Sequence, residues 1–158
     1  MIFLKLKGYQ PAYHGDVMDY VQTKELLTFT GKPQDAIAIS ATTPTHHSIV
    51  VYEENRLVCF FVLDEGVSKQ QYTSENAAFV LRSFSTDARY LRLGYAKKAL
   101  LLLPDFVRDQ FPEIKTIVLG VNQKNLPAQA LYEKVGFVAN GRVIVGPKGP
   151  QTVMMYRL

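Results

Sequence analysis

The stretch Gly94-Tyr95-Ala96-Lys97-Lys98 places small residues and positive charge at the predicted start of a helix. The first backbone N–H groups of a helix have no partner within it, and with the positive end of the helix dipole they form a site for an anion. Gly94 has no side chain to obstruct a phosphate, and Ala96 has only a methyl group. The stretch therefore indicates a phosphate-binding turn, although a turn that needs glycine only for its geometry has the same sequence.

A second candidate is Tyr132, in the stretch NLPAQALYEKVGF at residues 125–137. Asn125 is placed to cap a short helix. One face of that helix comprises Ala128, Leu131, Tyr132 and Val135. A phenol with a reference pKa of about 10 stays protonated at neutral pH and can act as a general acid. The same spacing is typical of a buried stripe, so the helix alone does not separate an acid from a core aromatic.

The elements that position these two stretches are predicted from hydrophobic periodicity. Strands are predicted at 1–7, in a hairpin over 47–66, and at 78–86, 115–121, 136–146 and 151–158. Helices are predicted at 15–31, 33–42, 94–111 and 126–135, with Pro104 expected to kink or divide the third. Because strands and helices alternate in the second half and hairpins dominate elsewhere, the fold is predicted to be a mixed sheet in one domain over 1–158.

The composition limits the class of protein. The 158 residues are 47% hydrophobic, and charge interrupts every apolar run before it reaches the length of a membrane span. No signal peptide is recognised, and the single cysteine, Cys59, is predicted to be a buried thiol, so a reducing cytoplasmic setting is expected. The net charge of +4 comes without a basic stripe or basic-aromatic pattern, so neither a nucleic-acid nor a membrane partner is expected. No metal site is indicated.

Taken together, the two stretches resemble the GNAT superfamily of N-acetyltransferases. The order is strand, RYLRLGYA, helix, strand, and then the motif N-x-x-A-x-x-L-Y-E-K-x-G-F. The matching residues of that motif are Asn125, Ala128, Leu131, Tyr132, Glu133, Lys134, Gly136 and Phe137. The resemblance is clear over 78–141 and suits the whole chain. It implies an α+β fold with a mostly antiparallel, twisted sheet of about seven strands, a splayed parallel central pair, and helices on both faces.

The resemblance also implies acetyl-CoA as co-substrate, bound in a V-shaped gap between the strands 78–86 and 115–121. Within 84–86, the main chain of Phe84 and Thr86 is expected to pair with the pantetheine arm, while Ser85 faces the other way. Asn125 is expected to contact the same arm.

The pyrophosphate of acetyl-CoA is expected on the backbone amides of Leu93, Gly94, Tyr95 and Ala96. Arg92 and Lys97 are the expected side-chain partners, although exposed lysines here are also typical of a solvated face. The chain departs from the family at Leu91, where glutamine or arginine is usual, and Arg89 and Arg92 are out of register with that position. Binding through backbone amides is nevertheless expected to survive.

The implied activity is transfer of an acetyl group to a primary amine, with a small molecule favoured over a protein, by direct attack on the thioester. The N–H of Phe84 is expected to stabilise the oxyanion, and Tyr132 is expected to protonate the leaving thiolate.

The sequence leaves several alternatives open. The base that takes a proton from the amine is not evident: His46, His47 and Glu53 are candidates, and ordered water is another. A non-catalytic acyl-CoA-binding sensor that uses the same cleft is the alternative function. The acceptor and the oligomeric state also stay open, a homodimer included.

Overall fold

The computed structural model describes residues 3–158, and seven strands in that range form one sheet. The strands are β1 (Leu4–Gly8), β2 (His46–Glu53), β3 (Arg56–Asp64), β4 (Ala78–Thr86), β5 (Thr116–Asn122), β6 (Val138–Gly146) and β7 (Gly149–Arg157). Their order is β1-β2-β3-β4-β5-β7-β6. Only β4 and β5 pair in parallel, and the other neighbouring pairs are antiparallel. The predicted mixed sheet is therefore confirmed; Met1 and Ile2 of the predicted first strand lie outside the described residues.

Four α-helices within residues 3–158 cover the two faces of this sheet, and the prediction of helices on both faces is confirmed. They are α1 (His14–Met18), α2 (Pro33–Ser40), α3 (Tyr95–Gln110) and α4 (Leu126–Lys134). The first two pack on one face, where Val17 and Ile37 meet Phe60 and Val62 of β3. The other two pack on the opposite face, on the large core that contains Phe61 and Phe79. Because both faces are covered, β3 is a continuous apolar run instead of an alternating one.

The predicted helix over 15–31 is wrong. In its place the chain forms the single turn of α1, an irregular stretch, and a 3-10 turn at Leu26–Thr28. The reason is a tertiary contact at Val21. Its N–H donates to the Asp87 carboxylate at 3.0 Å, and its carbonyl accepts from the Ala88 N–H at 2.8 Å. These bonds to the end of β4 replace the intrahelical ones, so the apolar spacing does not produce a helix.

The remaining helices agree with the prediction within a few residues. The helix α3 continues past Pro104, so the alternative of two separate pieces is wrong. The loop predicted over 64–77 contains a 3-10 helix, Val67–Gln71. Within residues 3–158, no helix has both the length and the apolar character needed to cross a membrane.

The one cysteine behaves as the sequence indicates. Cys59 is fully buried on β3, with its sulfur 3.3 Å from the Thr86 hydroxyl. Burial raises the pKa of the Cys59 thiol to about 12, so the reactive thiolate is absent at neutral pH.

Candidate active site

The parallel strands β4 and β5 separate partway along their length. They pair only where Ala78–Val80 lies beside Thr116–Val118. Beyond Val80 and Val118 each strand continues without the other, so the backbone edges that face each other there have no strand partner. Unpaired backbone groups favour a ligand that can supply donors and acceptors along an extended chain.

A β-bulge lies on β4 at the point of separation. Arg82 pairs with Val62 of β3 and Ser85 pairs with Phe60, which leaves Ser83 and Phe84 both opposite Phe61. Ser83 has a φ of 55°, an uncommon value for a residue with a side chain. Because a bulge adds one residue, it reverses which side chains face which side of the sheet.

The reversal decides where the predicted residues of 84–86 point. Phe84 packs on the α3 and α4 face, stacked on Phe61 with ring centroids 5.8 Å apart. Thr86 faces the same side. Ser85 points to the α1 side, where its hydroxyl lies 2.8 Å from the Tyr20 hydroxyl in a buried hydrogen bond.

The separated strands border a cleft of about 1040 Å³. It is lined by residues 81–86 of β4, residues 119–122 of β5, Asn125, Pro127, Ala128, Leu131 and Tyr132 of the α4 region, and Leu91 and Ala96 beside the start of α3. Six of the predicted site residues therefore line one space: Phe84, Ser85, Thr86, Ala96, Asn125 and Tyr132. The other five predicted residues do not line the cleft but lie next to Leu91 and Ala96 in the turn before α3 and its first residues: Arg92, Leu93, Gly94, Tyr95 and Lys97.

Tyr132 is partly buried and borders the cleft from α4. Its ring packs edge-on against Phe137 at 5.8 Å. Desolvation raises the pKa of Tyr132, so at neutral pH the phenol holds its proton until a stronger base appears beside it. Asn125 caps the same helix, as predicted, with its side-chain oxygen accepting from the Ala128 N–H at 3.3 Å.

The turn before α3 has the conformation that the glycine allows. Gly94 is the N-cap of the helix, with a φ of 87°, and nothing lies within 4 Å of the position that a Cβ would take. Glycine is favoured here because the backbone is left-handed. The space above the helix N-terminus is open, so a ligand could approach the backbone there. The side chain of Tyr95 is buried in the core, while Arg92 and Leu93 are exposed.

The loop that carries this turn is held by Asp87. This carboxylate is fully buried and accepts from the Val21 N–H and from the backbone and guanidinium of Arg89. Burial alone would raise the pKa of Asp87, but the hydrogen bonds from Arg89 and Val21 hold it below its usual value. Arg89 also pairs with Asp19 at 3.2 Å. Arg89 is thus engaged with two carboxylates and does not substitute for the missing arginine or glutamine at Leu91.

The other side of the cleft, which we call the mouth, is lined by the segment 25–31 and by Tyr72, Arg82, Gly120, Lys148 and Gln151. Arg82 donates to Asp64 at 2.9 Å, to Ser68 at 2.8 Å and to the Tyr72 hydroxyl at 3.3 Å. Burial alone would raise the pKa of Asp64, but hydrogen bonds from Gly66 and Arg82 lower it overall. The Arg82 charge is therefore neutralised within the protein.

Lys148 links the two edges of the mouth. Its ammonium group, on the turn between β6 and β7, donates to the backbone carbonyls of Leu27 and Thr28. The segment 25–31 is thereby fastened to the far edge of the sheet. No pattern in the sequence predicts this contact, because the partners are about 120 residues apart.

The structure does not bring the candidate bases to the cleft. His46 and His47 line a separate cavity of about 570 Å³ at the edge of β1 and β2, and they pair with Asp64 and Glu65. Glu53 lies at the end of β2 and pairs with Arg56. The carboxylates that do line the cleft are Glu25 and Asp35, both exposed at the mouth. Sequence reasoning missed Glu25 because its stretch was wrongly predicted to be helical, and it missed Asp35 because only the tertiary structure brings α2 to the cleft.

The cleft between separated parallel strands, with a glycine-capped helix at one end, is the arrangement that the resemblance to the GNAT superfamily implies. Residues 14–137 match the model of the Acetyltransferase (GNAT) family, and the chain belongs to this family. It is 33% identical over 158 residues to the uncharacterized N-acetyltransferase YbbJ of Bacillus subtilis (strain 168), and the alignment covers 98% of each chain. The predicted family, the enzyme class and the acetyl-CoA co-substrate are thereby confirmed.

Solved structures of more distant sequence have the same fold. Aminoglycoside acetyltransferase AAC(6')-Ib, in complex with coenzyme A and kanamycin, superposes with a TM-score of 0.79 at 16% identity, covering 98% of this chain and 95% of that one. Spermidine N-acetyltransferase from Vibrio cholerae, in complex with CoA and spermine, superposes with a TM-score of 0.73 at 14% identity, covering 98% of this chain and 95% of that one. At these identities the likeness establishes the fold, and the acceptor has to be argued from this chain's own residues.

Proposed function

We propose that this protein transfers the acetyl group of acetyl-CoA to a primary amine of a small molecule by direct attack on the thioester. The observation that carries the proposal is the separation of β4 and β5 beyond Val80 and Val118, which opens a cleft with Tyr132 on one side and the mouth on the other. An extended pantetheine arm fits the unpaired strand edges, and solved relatives of this fold hold CoA.

Residues of the cleft and of the turn before α3 divide the binding of acetyl-CoA among them. The backbone of Phe84 and Thr86 pairs with the pantetheine arm, and the Asn125 amide nitrogen, which the cap does not use, donates to it. The backbone N–H groups of residues 93–96 bind the pyrophosphate at the start of α3. Arg92 and Lys97, both exposed beside that turn, add positive charge.

The reaction then proceeds in the part of the cleft that Phe84 and Tyr132 line. The amine nitrogen attacks the thioester carbonyl carbon, and the developing oxyanion accepts from the Phe84 N–H. As the carbon–sulfur bond breaks, the thiolate takes the proton of the Tyr132 hydroxyl, whose raised pKa has kept it protonated until then. The amine loses its own proton to water, since the carboxylates of the mouth are exposed, and the Tyr132 phenolate regains a proton from solvent.

A small acceptor is favoured by the shape of the mouth. The segment 25–31 and the turn that carries Lys148 are joined across the opening, so a folded protein surface meets a bridged rim there. A slender amine can pass beneath that rim. The solved relatives that bind aminoglycosides and polyamines support an amine of this size.

A thiol-release assay tests the proposal. Purified protein with acetyl-CoA is presented with a panel comprising kanamycin, spermidine, benzylamine, lysine and a lysine-containing peptide, and the acetylated product is identified by mass. We expect free CoA to appear at a rate that depends on at least one of the small amines. Tight CoA binding with no release by any amine would contradict the transferase proposal.

A further inference from the structure

The mouth contains a primary amide without a partner. Gln151 lies on β7 opposite Asn122 of β5, and its side chain crosses the mouth side of the sheet. Among residues 3–158 no group hydrogen-bonds this amide, whereas Arg82 and Lys148 beside it are engaged by carboxylate, hydroxyl and carbonyl oxygens. The Gln151 amide therefore lines the cleft with its donors and acceptor free.

Two glycines make room for this amide. A Cβ at Gly120 would overlap the Gln151 Oε1 and would lie 3.3 Å from the Tyr72 ring. A Cβ at Gly146 would lie 3.0 Å from the Gln151 Nε2. Neither glycine has a positive φ, so neither is required by its backbone. Gly120 is needed for space, and that space is on β5 just beyond its separation from β4.

The face of the sheet on which Gly120 lies decides which part of the cleft the Gln151 amide borders. Leu119 and Val121 of β5 belong to the core beneath α3 and α4, while Val118 belongs to the opposite core with Tyr72. By the alternation of a strand, Gly120 faces the mouth. The Gln151 amide, which occupies the space over Gly120, thus faces the side of the cleft away from Tyr132, from which an amine can approach the thioester carbonyl.

We propose that Gln151 binds the acceptor: its Oε1, which sits in the space over Gly120, accepts a hydrogen bond from the N–H of the incoming amine. The inference rests on the acetyl transfer proposed above and names the acceptor-binding group for it. A neutral carboxamide suits this task. A carboxylate at the same place would stabilise the charged ammonium form and reduce the fraction of nucleophilic amine, whereas an amide oxygen orients the N–H without that cost.

The test measures KM for the amine separately from KM for acetyl-CoA, with the panel amine that the wild-type protein acetylates fastest. We expect Gln151→Leu to raise the amine KM by about five- to tenfold, the effect of losing one hydrogen bond, and to leave the acetyl-CoA KM unchanged. Gln123→Leu is the matched control, since Gln123 is an exposed glutamine outside the cleft. An unchanged amine KM in a folded Gln151→Leu protein overturns the proposal.

Gly120→Ala provides a second, independent variant. The added methyl group displaces the flexible end of Gln151 instead of removing it, so the amine KM should again rise by about fivefold. In a Gln151→Ala background the same Gly120→Ala change should add less than about twofold, since coupled neighbours are not additive. Equal effects in both backgrounds would overturn the proposal that Gly120 acts through Gln151. Absence of acetyl transfer by the wild-type protein to every amine would instead overturn the proposed function, and this inference with it.

Discussion

The two sides of the cleft are built in different ways. On the helix side, Gly94 and Asn125 each cap the helix that follows them, so the groups assigned to acetyl-CoA are positioned within a few residues of chain. On the mouth side, Tyr72, Gly120 and Gln151 come from three separate parts of the chain, and Lys148 holds a segment about 120 residues away.

The difference follows from what each side binds. Acetyl-CoA presents the same pyrophosphate and amide groups to every enzyme that uses it, and backbone N–H groups at a helix start recognise them with little help from side chains. An acceptor amine differs between enzymes, so it has to be recognised by side chains that the tertiary structure collects. Changes on the helix side should therefore affect acetyl-CoA or the chemical step, and changes at the mouth should affect the amine alone.

The largest effect is expected on the helix side, at Tyr132. Tyr132→Phe keeps the ring against Phe137 and removes the hydroxyl, so turnover should fall by about 100-fold or more, the usual scale for losing a general acid. Steady-state rates give the turnover, and calorimetry should find CoA affinity unchanged. Equal turnover in the two proteins, with the chemical step shown to be rate-limiting, would make Tyr132 a packing residue only.

The pH dependence of kcat/KM tests the mouth side, where the lining carboxylates among residues 3–158 are exposed. If water takes the amine proton, kcat/KM should rise about tenfold per pH unit below the pKa of the acceptor and then level off. Two amines whose pKa values differ by about two units should give profiles displaced by that difference.

A dedicated base would give a different result. An inflection at one pH for both amines, lost in Glu25→Gln or Asp35→Asn, would assign the proton to that carboxylate and contradict the water route. His47→Ala is the control, because His47 lies in a separate cavity and should leave the profile unchanged.

Gly94→Val should weaken CoA binding by about tenfold or more, since its side chain would occupy the space assigned to the pyrophosphate above the helix N-terminus. Gly141→Val is a matched control. Gly141 has a φ of 88°, close to the 87° of Gly94, and equally open space around it, but it lies on β6 and not at the start of α3. Both variants carry the same backbone strain, so calorimetry should separate the phosphate effect from it. Similar CoA affinity in the two variants would contradict the phosphate assignment.

The smallest effect is expected at Lys148. Lys148→Ala removes the hydrogen bonds to Leu27 and Thr28, and the amine KM should rise by about two- to fivefold, the effect of one modest hydrogen bond. Lys124→Ala is the control, since Lys124 is an exposed cation that also lines the cleft but has no such link. An equal change in both variants would attribute the effect to charge instead of to the link across the mouth.

Local sequence determined most of the secondary-structure elements, the helix caps and the motif of the family. The apolar runs of β3 and β5, the capping residues Gly94 and Asn125, and the spacing around Tyr132 predict elements and a family because each acts over a few residues. Backbone hydrogen bonding, helix capping and side-chain periodicity are short-range effects that a sequence displays directly.

Only the tertiary structure decided the remaining features. Val21 lies in a stretch with helical spacing, but its backbone bonds to Asp87 and the helix does not form. The bulge at Ser83 reverses the faces of β4, and it depends on the register with β3. Gln151 meets Gly120 only because β7 pairs with β5. Each of these features depends on contacts between distant parts of the chain, whose free energy outweighs local preference and cannot be read from neighbouring residues.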